Sequence, residues 1–174
     1  MLAEIRQTFK SLEDKRRKLL QQLDLMPSET VYFKAGADKW SVVEAVEHLV
    51  IAEEGMLEQL NAGTSAANLD PQDRSTKNFQ IVIKVMERDI PVDVPDASLV
   101  PRGEFKLEEL LDRWEDTRRK TRAYIEAIRS ENASDLAYRH PFAGPLDMAE
   151  TLRFLEVHFD NHMRHIETIK ARSA

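Results

Sequence analysis

The chain has 174 residues, 31 acidic and 25 basic side chains, a net charge of −6 and no cysteine. That length suits one domain with a full core. Acidic and basic residues are interleaved, which leaves no electrostatic footprint for nucleic acid or an anionic membrane, and the lack of cysteine excludes disulfides, thiolate ligands and a cysteine nucleophile.

Leu2, Ile5, Phe9, Leu12, Leu19, Leu20 and Leu23 recur at steps of three and four. This predicts a first helix over residues 2–24, ended by the restriction that Pro27 places on the residue before it. No apolar run reaches membrane-spanning length, and the charged N-terminal segment lacks the apolar centre of a signal peptide. A cytoplasmic protein is expected.

Ser41 followed by Glu44 has capping-box spacing and opens a second helix that runs to about Leu60, with Gly63 as its stop. Its apolar positions include Val42, Val46, Leu49, Val50 and Leu57. His48 falls on a different strip, with Ala45, Ala52 and Gly55, where small side chains leave room around an imidazole. Glu44, one turn before His48, could accept from the N–H of a ligand ring, but reads rather as the capping partner of Ser41. Glu47, Glu53 and Glu54 read as a solvated acidic face, with Glu54 or Asp160 able to reach the surroundings of a site. Trp40 is expected to plug the helix start and to wall a pocket.

Thr64–Asp73 has loop composition. Residues 75–89 are ambiguous, because IVIKV is β-branched. Phe79, Val82, Val85 and Met86 nevertheless fit helical spacing, and no second strand is evident for pairing, so a short helix is expected. Ile90–Gly103 carries three prolines and reads as an extended connection. Phe105 to Ser130 forms a third long helix with the stripe Leu107, Leu110, Leu111, Trp114, Thr121, Tyr124, Ile125 and Ile128. Its basic run, Arg118, Arg119, Lys120 and Arg122, reads as a solvated face from which one arginine could hold an anionic co-substrate. Asn132–Pro145 reads as a loop, and Asp147 with Glu150 caps the last helix. The expected fold is all-α: a four-helix bundle with crossover connections and a short additional helix in the middle linker, as a single domain over residues 1–174.

On the last helix His158, His162 and His165 follow at steps of four and three, within an arc of about 60°. Thr151, Phe154, Leu155 and Ile169 share that face, which marks it as the inward one. An i, i+4 histidine pair plus one histidine from a facing helix makes a three-nitrogen donor set for a divalent ion with a position left open. His158 and His162 form the pair, and His48 is the natural third. His165 offers an alternative partner for His162, and His140, before Pro141, reads as structural or solvated. On spacing alone the histidines could equally be core residues. A di-metal carboxylate site is disfavoured, because Glu44 precedes His48 by four residues rather than three. Three neutral imidazoles would leave the ion's charge uncompensated and acidify a water or thiol beside it.

The segments DKWSVVEAVEHLVIAEE and HPFAGPLDMAETLRFLEVHFDNHMRHIETI resemble the DinB-like superfamily of four-helix-bundle metalloproteins. Trp40-Ser41, Glu44 and His48-Leu49 follow its W-S-x-x-E-x-x-x-H-L segment, and Phe154-Leu155, His158 and His162 follow its last-helix segment in register. The resemblance implies a divalent metal (zinc, nickel, iron or manganese) on His48, His158 and His162. It also implies a metal-dependent hydrolase or low-molecular-weight-thiol S-transferase acting on a small molecule, with bacillithiol or mycothiol as thiol in some relatives, and a homodimer. A non-catalytic metal-binding or structural dimeric bundle is the alternative. The chain departs from the pattern at Asn161, where arginine is common, and at His165, where glutamine is usual.

Overall fold

A computed structural model describes residues 1–66, 69–90 and 96–173. The expected loop over 64–73 and the connection over 90–103 fall partly on residues 67–68 and 91–95, which lie outside the described residues. The chain is mostly helical, with α1 (Leu2–Asp24), α2 (Ser28–Val31), α3 (Val42–Ala66), α4 (Thr76–Glu87), α5 (Leu107–Ala127) and α6 (Met148–Ser173). Two short strands, β1 (Leu136–His140) and β2 (Gly144–Asp147), pair antiparallel ahead of α6.

Local chemistry accounts for the helix boundaries. The Ser41 amide and hydroxyl both donate to Glu44 Oε2 at 2.8 Å, and the Glu44 amide returns a bond to the Ser41 hydroxyl. Asp147 and Glu150 make the same reciprocal pair at the start of α6. Ser75 accepts from the Asn78 amide and starts α4. Gly63 sits at φ 73°, a left-handed conformation natural to glycine, and interrupts α3 where a stop is expected.

Helix α6 packs against α1 and α3, α3 packs against α5, and α1 also touches α5, while α4 lies along α6. The core between them holds Ile5, Phe9, Leu12, Leu49, Leu110, Trp114, Leu152 and Phe159, each at most 6% exposed. Among the described residues no helix is long and apolar enough to cross a membrane.

Two expectations are corrected here. The segment before α6 is not all loop: residues 136–147 form a hairpin, so the fold is not free of strands. The strands are only five and four residues long and hold Pro145 and Gly144, so their alternation carried no recognisable strand signal. Gly144 is needed for this hairpin to seat, since φ is 74° and a Cβ there would lie 2.4 Å from the Asp73 carbonyl oxygen. The hairpin also removes one ground for reading residues 75–89 as helix, yet Thr76–Glu87 is helical, as the apolar spacing indicates.

The second correction concerns charge. Glu47 and Glu53 are 1% and 3% exposed, so they form no solvated face, and Arg118 is 2% exposed. Arg118 forks onto Glu53 (Nε to Oε2 2.5 Å, Nη2 to Oε1 2.6 Å) and reaches Glu13 at 3.2 Å, while Arg16 and Arg122 also bond Glu13. Arg119 and Lys120 pair with Asp116 on their own helix. The basic run of α5 is thus absorbed in ion pairs. Glu54 bonds Arg113 and Asp160 bonds Lys15.

Candidate metal centre

Three imidazoles meet between α3 and α6. His48 comes from α3, and His158 and His162 sit one turn apart on α6, all three 6% exposed. His48 Nε2 lies 3.0 Å from His158 Nε2, and His162 Nε2 lies 3.1 Å from the same atom. Among the described residues this trio is the one histidine or carboxylate group whose donor atoms come together in a set of three or more. Trp40 stacks on His162 (centroids 5.9 Å apart, planes at 17°) and tilts over His48 at 4.9 Å. Phe154 stacks on His158 at 5.5 Å. The aromatic walls and the helix cores leave the three nitrogens facing one another.

The protonation chemistry of this trio is constrained. His48 Nδ1 lies 2.7 Å from the Leu99 carbonyl oxygen. A carbonyl only accepts, so Nδ1 carries the proton and Nε2 of the neutral ring presents a lone pair to the other two. His158 Nε2 holds one proton at most, so its contacts with His48 and His162 cannot both be full hydrogen bonds. Protonating a ring is no remedy. Burial pushes the His158 pKa down to about 3, with the neighbouring His48 and His140 adding to the effect. Burial also pushes His162 well below the ordinary range and lowers His48, where the Leu99 bond opposes part of the shift. Among the described residues, buried His162 Nδ1 has no hydrogen-bond partner.

A divalent ion held by His48, His158 and His162 would relieve this crowding, because it would accept a lone pair from each ring. A four-coordinate ion at about 2.0–2.1 Å from each donor needs donors roughly 3.3 Å apart. The two separations of 3.0 and 3.1 Å lie within a few tenths of an ångström of that. The donor atoms of the third pair, His48 and His162, lie within 4.8 Å of one another, so the residues present are compatible with such an ion.

The other two histidines lie outside the trio. His165 is half exposed, and its Nε2 bonds Asp89 Oδ1 at 3.0 Å. Asn161 donates to the same carboxylate and to the Met86 carbonyl. The two positions that depart from the family pattern therefore tie α6 to the C-terminal end of α4. His140 is buried and structural: its Nδ1 accepts from the Phe142 and Ala143 amides and so ties the hairpin turn. Its pKa is pushed down by burial to about 4, and the two amides aimed at Nδ1 oppose protonation too.

These groups set the acid response. An unfolded histidine takes a proton near its ordinary pKa of 6.5, whereas folded His140 does so only near 4. The unfolded state binds more protons in that window, so this contribution to stability is complete above pH 6.5 and lost as pH falls toward 4. The difference is worth about 3 kcal/mol. Urea unfolding of metal-free protein is expected to show stability falling between pH 6.5 and 4, with a flatter profile for His140→Asn. An identical slope in that variant would contradict the assignment.

Two contributors to the site are not evident in the sequence. The Leu99 carbonyl is a backbone group, invisible to side-chain motifs, and it arrives from a proline-rich connection 51 residues from His48. Glu47 is next to His48 in sequence, and its carboxylate accepts from the Arg102 and Gly103 amides, both at 2.9 Å. Its burial has no signal beyond its phase on α3.

A mostly helical protein with a buried group of three histidines shared between two of its helices is thereby defined, with a donor set compatible with metal binding. The chain belongs to the DinB superfamily, whose family profile matches residues 11–166. Comparison with curated proteins and with solved structures returns no match.

Proposed function

We propose that His48, His158 and His162 hold a divalent metal ion within a single four-helix-bundle domain with crossover connections, and that the protein is a metal-dependent enzyme acting on a small molecule. The observation that carries this reading is the mutual approach of three buried imidazole nitrogens whose proton inventory does not suit a metal-free cluster.

When bound, the ion supplies Lewis acidity and acidifies a water or thiol that shares its open face. The chain does the rest. The Leu99 carbonyl holds the His48 ring with its lone pair inward, and burial keeps all three rings neutral. Trp40 and Phe154 exclude bulk water from the donor atoms, which strengthens every charge interaction there. Three uncharged donors leave the ion's charge uncompensated, so an anionic nucleophile or substrate group is favoured. The chain has no cysteine, so a thiolate nucleophile has to come from a low-molecular-weight thiol. Hydrolysis and thiol S-transfer are both compatible with this arrangement.

The test is a screen of protein loaded with zinc, nickel, iron or manganese against model esters, and against thiol-plus-electrophile pairs. Metal-dependent turnover of at least one class is expected, with the reactive class naming the nucleophile. Tight metal binding without turnover of either class would favour the alternative, a non-catalytic metal-binding or structural bundle that works as a dimer.

A further inference from the structure

We propose that Glu47 is a positioning residue for the metal site: by gripping the backbone at residues 102–103 it holds the Leu99 carbonyl against His48 and so fixes the ring as a donor. The proposal rests on the reading of the trio as a metal site. His158 and His162 sit on one helix, one turn apart, so their spacing is set by α6 itself. His48 is the sole member from α3, and its alignment decides whether the donor set closes.

Among its described residues, the connection that supplies Leu99 has no long element to anchor it. A 3-10 turn, Ala97–Leu99, is capped by Asp96, which accepts from the Ser98 amide at 2.8 Å. The turn is pinned to α3 at two places. Leu99 O meets His48 Nδ1, and three and four residues later the Arg102 and Gly103 amides each donate to one oxygen of Glu47. A carboxylate holding two successive amides fixes both the position and the direction of the strap, where one bond would leave it free to pivot. Gly103 lies at φ 67°, and a Cβ there would come 3.3 Å from Glu44 Oε1, so the strap closes tightly on the α3 surface. Glu44 is in turn fixed by Ser41 and Lys34. Glu44, Glu47 and His48, on one face of α3, thus grip the strap between them.

The consequence for His48 is chemical. With Leu99 O in place, the Nδ1–H tautomer is stabilised and Nε2 is ready to bind. Without it the ring is free to take the other tautomer, which puts a proton where the ion must sit. Partners of this kind, bonded to the far nitrogen of a ligating histidine, typically change metal affinity 10–100-fold when removed.

The experiment uses the full chain without a histidine tag. Long-range proton–nitrogen NMR of the metal-free protein reports the tautomer of each histidine directly. Competition titration with zinc reports affinity. Wild type is expected to show His48 as a single Nδ1–H tautomer. Glu47→Gln keeps the volume but turns an NH2 toward one of the two amides. It is expected to show a tautomer mixture at His48 and zinc binding weaker by about tenfold or more. Gly103→Ala, which disturbs the strap from the other side and leaves the Glu47 carboxylate intact, is expected to do the same. Glu58→Gln, exposed on the same helix, is expected to change neither reading. An Nε2–H tautomer at His48 in wild type would overturn the proposal without recourse to any variant. So would a wild-type tautomer and affinity retained in both strap variants. If the strap variants lose the wild-type His48 tautomer yet wild type binds no zinc, nickel, iron or manganese, the positioning of His48 stands and the metal reading is what fails.

Discussion

Replacing Glu53 by alanine is expected to lower stability by about 3–5 kcal/mol. The reason lies in the geometry of Arg118. Its guanidinium is 2% exposed, and Glu53, also buried, takes two of its donors at 2.5 and 2.6 Å. Glu13 takes a third at 3.2 Å but is shared with Arg16 and Arg122. Without Glu53 a fixed positive charge remains in the core with one stretched partner. For a chain of this length the loss corresponds to a melting temperature lower by roughly 6–20 °C. The pair itself adds little over an apolar contact, because desolvation offsets most of its attraction. Glu53→Leu combined with Arg118→Met is therefore expected to recover most of what Glu53→Ala loses. Chemical denaturation of the three proteins checks this. A loss below about 1 kcal/mol for Glu53→Ala would mean that Arg118 is solvated in a way its burial does not allow.

The second large effect is on metal. Removing His158 is expected to weaken binding of a divalent ion by more than about 100-fold, because loss of an outer hydrogen-bond partner alone has typical effects of 10–100-fold and a ligand must count for more. His158 is the central member: both short nitrogen contacts of the trio are made to its Nε2. His165→Ala is expected to leave affinity nearly unchanged, since that ring faces Asp89. Isothermal titration of the two variants separates them. A large loss in His165→Ala with little change in His158→Ala would mean that the pair on α6 is His162 with His165, the alternative that spacing alone left open. In wild type, burial holds the three rings neutral, so proton competition with the metal is pushed to lower pH than for exposed histidines.

Much of this was readable in the chain, because helices announce themselves by periodic burial. The stripe of α1 fits Leu2–Asp24 end to end, and the two capping boxes fix the starts of α3 and α6. The trio was legible for the same reason: an i, i+4 histidine pair in phase with Thr151, Phe154 and Leu155 has to point inward. Trp40 walls it as expected. The hairpin was hidden because its strands are too short for alternation to stand out.

The buried charges were hidden for a different reason, and the signal for them exists. Arg16 lies in phase between Leu12 and Leu19, Arg118 between Trp114 and Ile125, and Glu53 between Val46 and Leu60, so each occupies a core position of its own helix. Charged residues on three helices, each in phase with an apolar stripe and of opposite sign, indicate an internal ion pair. Composition alone assigns them to the surface. The Leu99 carbonyl and the grip of Glu47 on residues 102–103 depend on how an irregular connection is laid across α3, and no periodicity reports that.

The central claim is that His48, His158 and His162 share one ion, and diffraction from metal-loaded crystals at the absorption edge of that metal tests it most directly. The expected result is a single anomalous peak at about 2.0–2.2 Å from the Nε2 atoms of all three rings. A peak elsewhere on the chain, or a His48 ring rotated away from an ion held by the α6 pair, would contradict it.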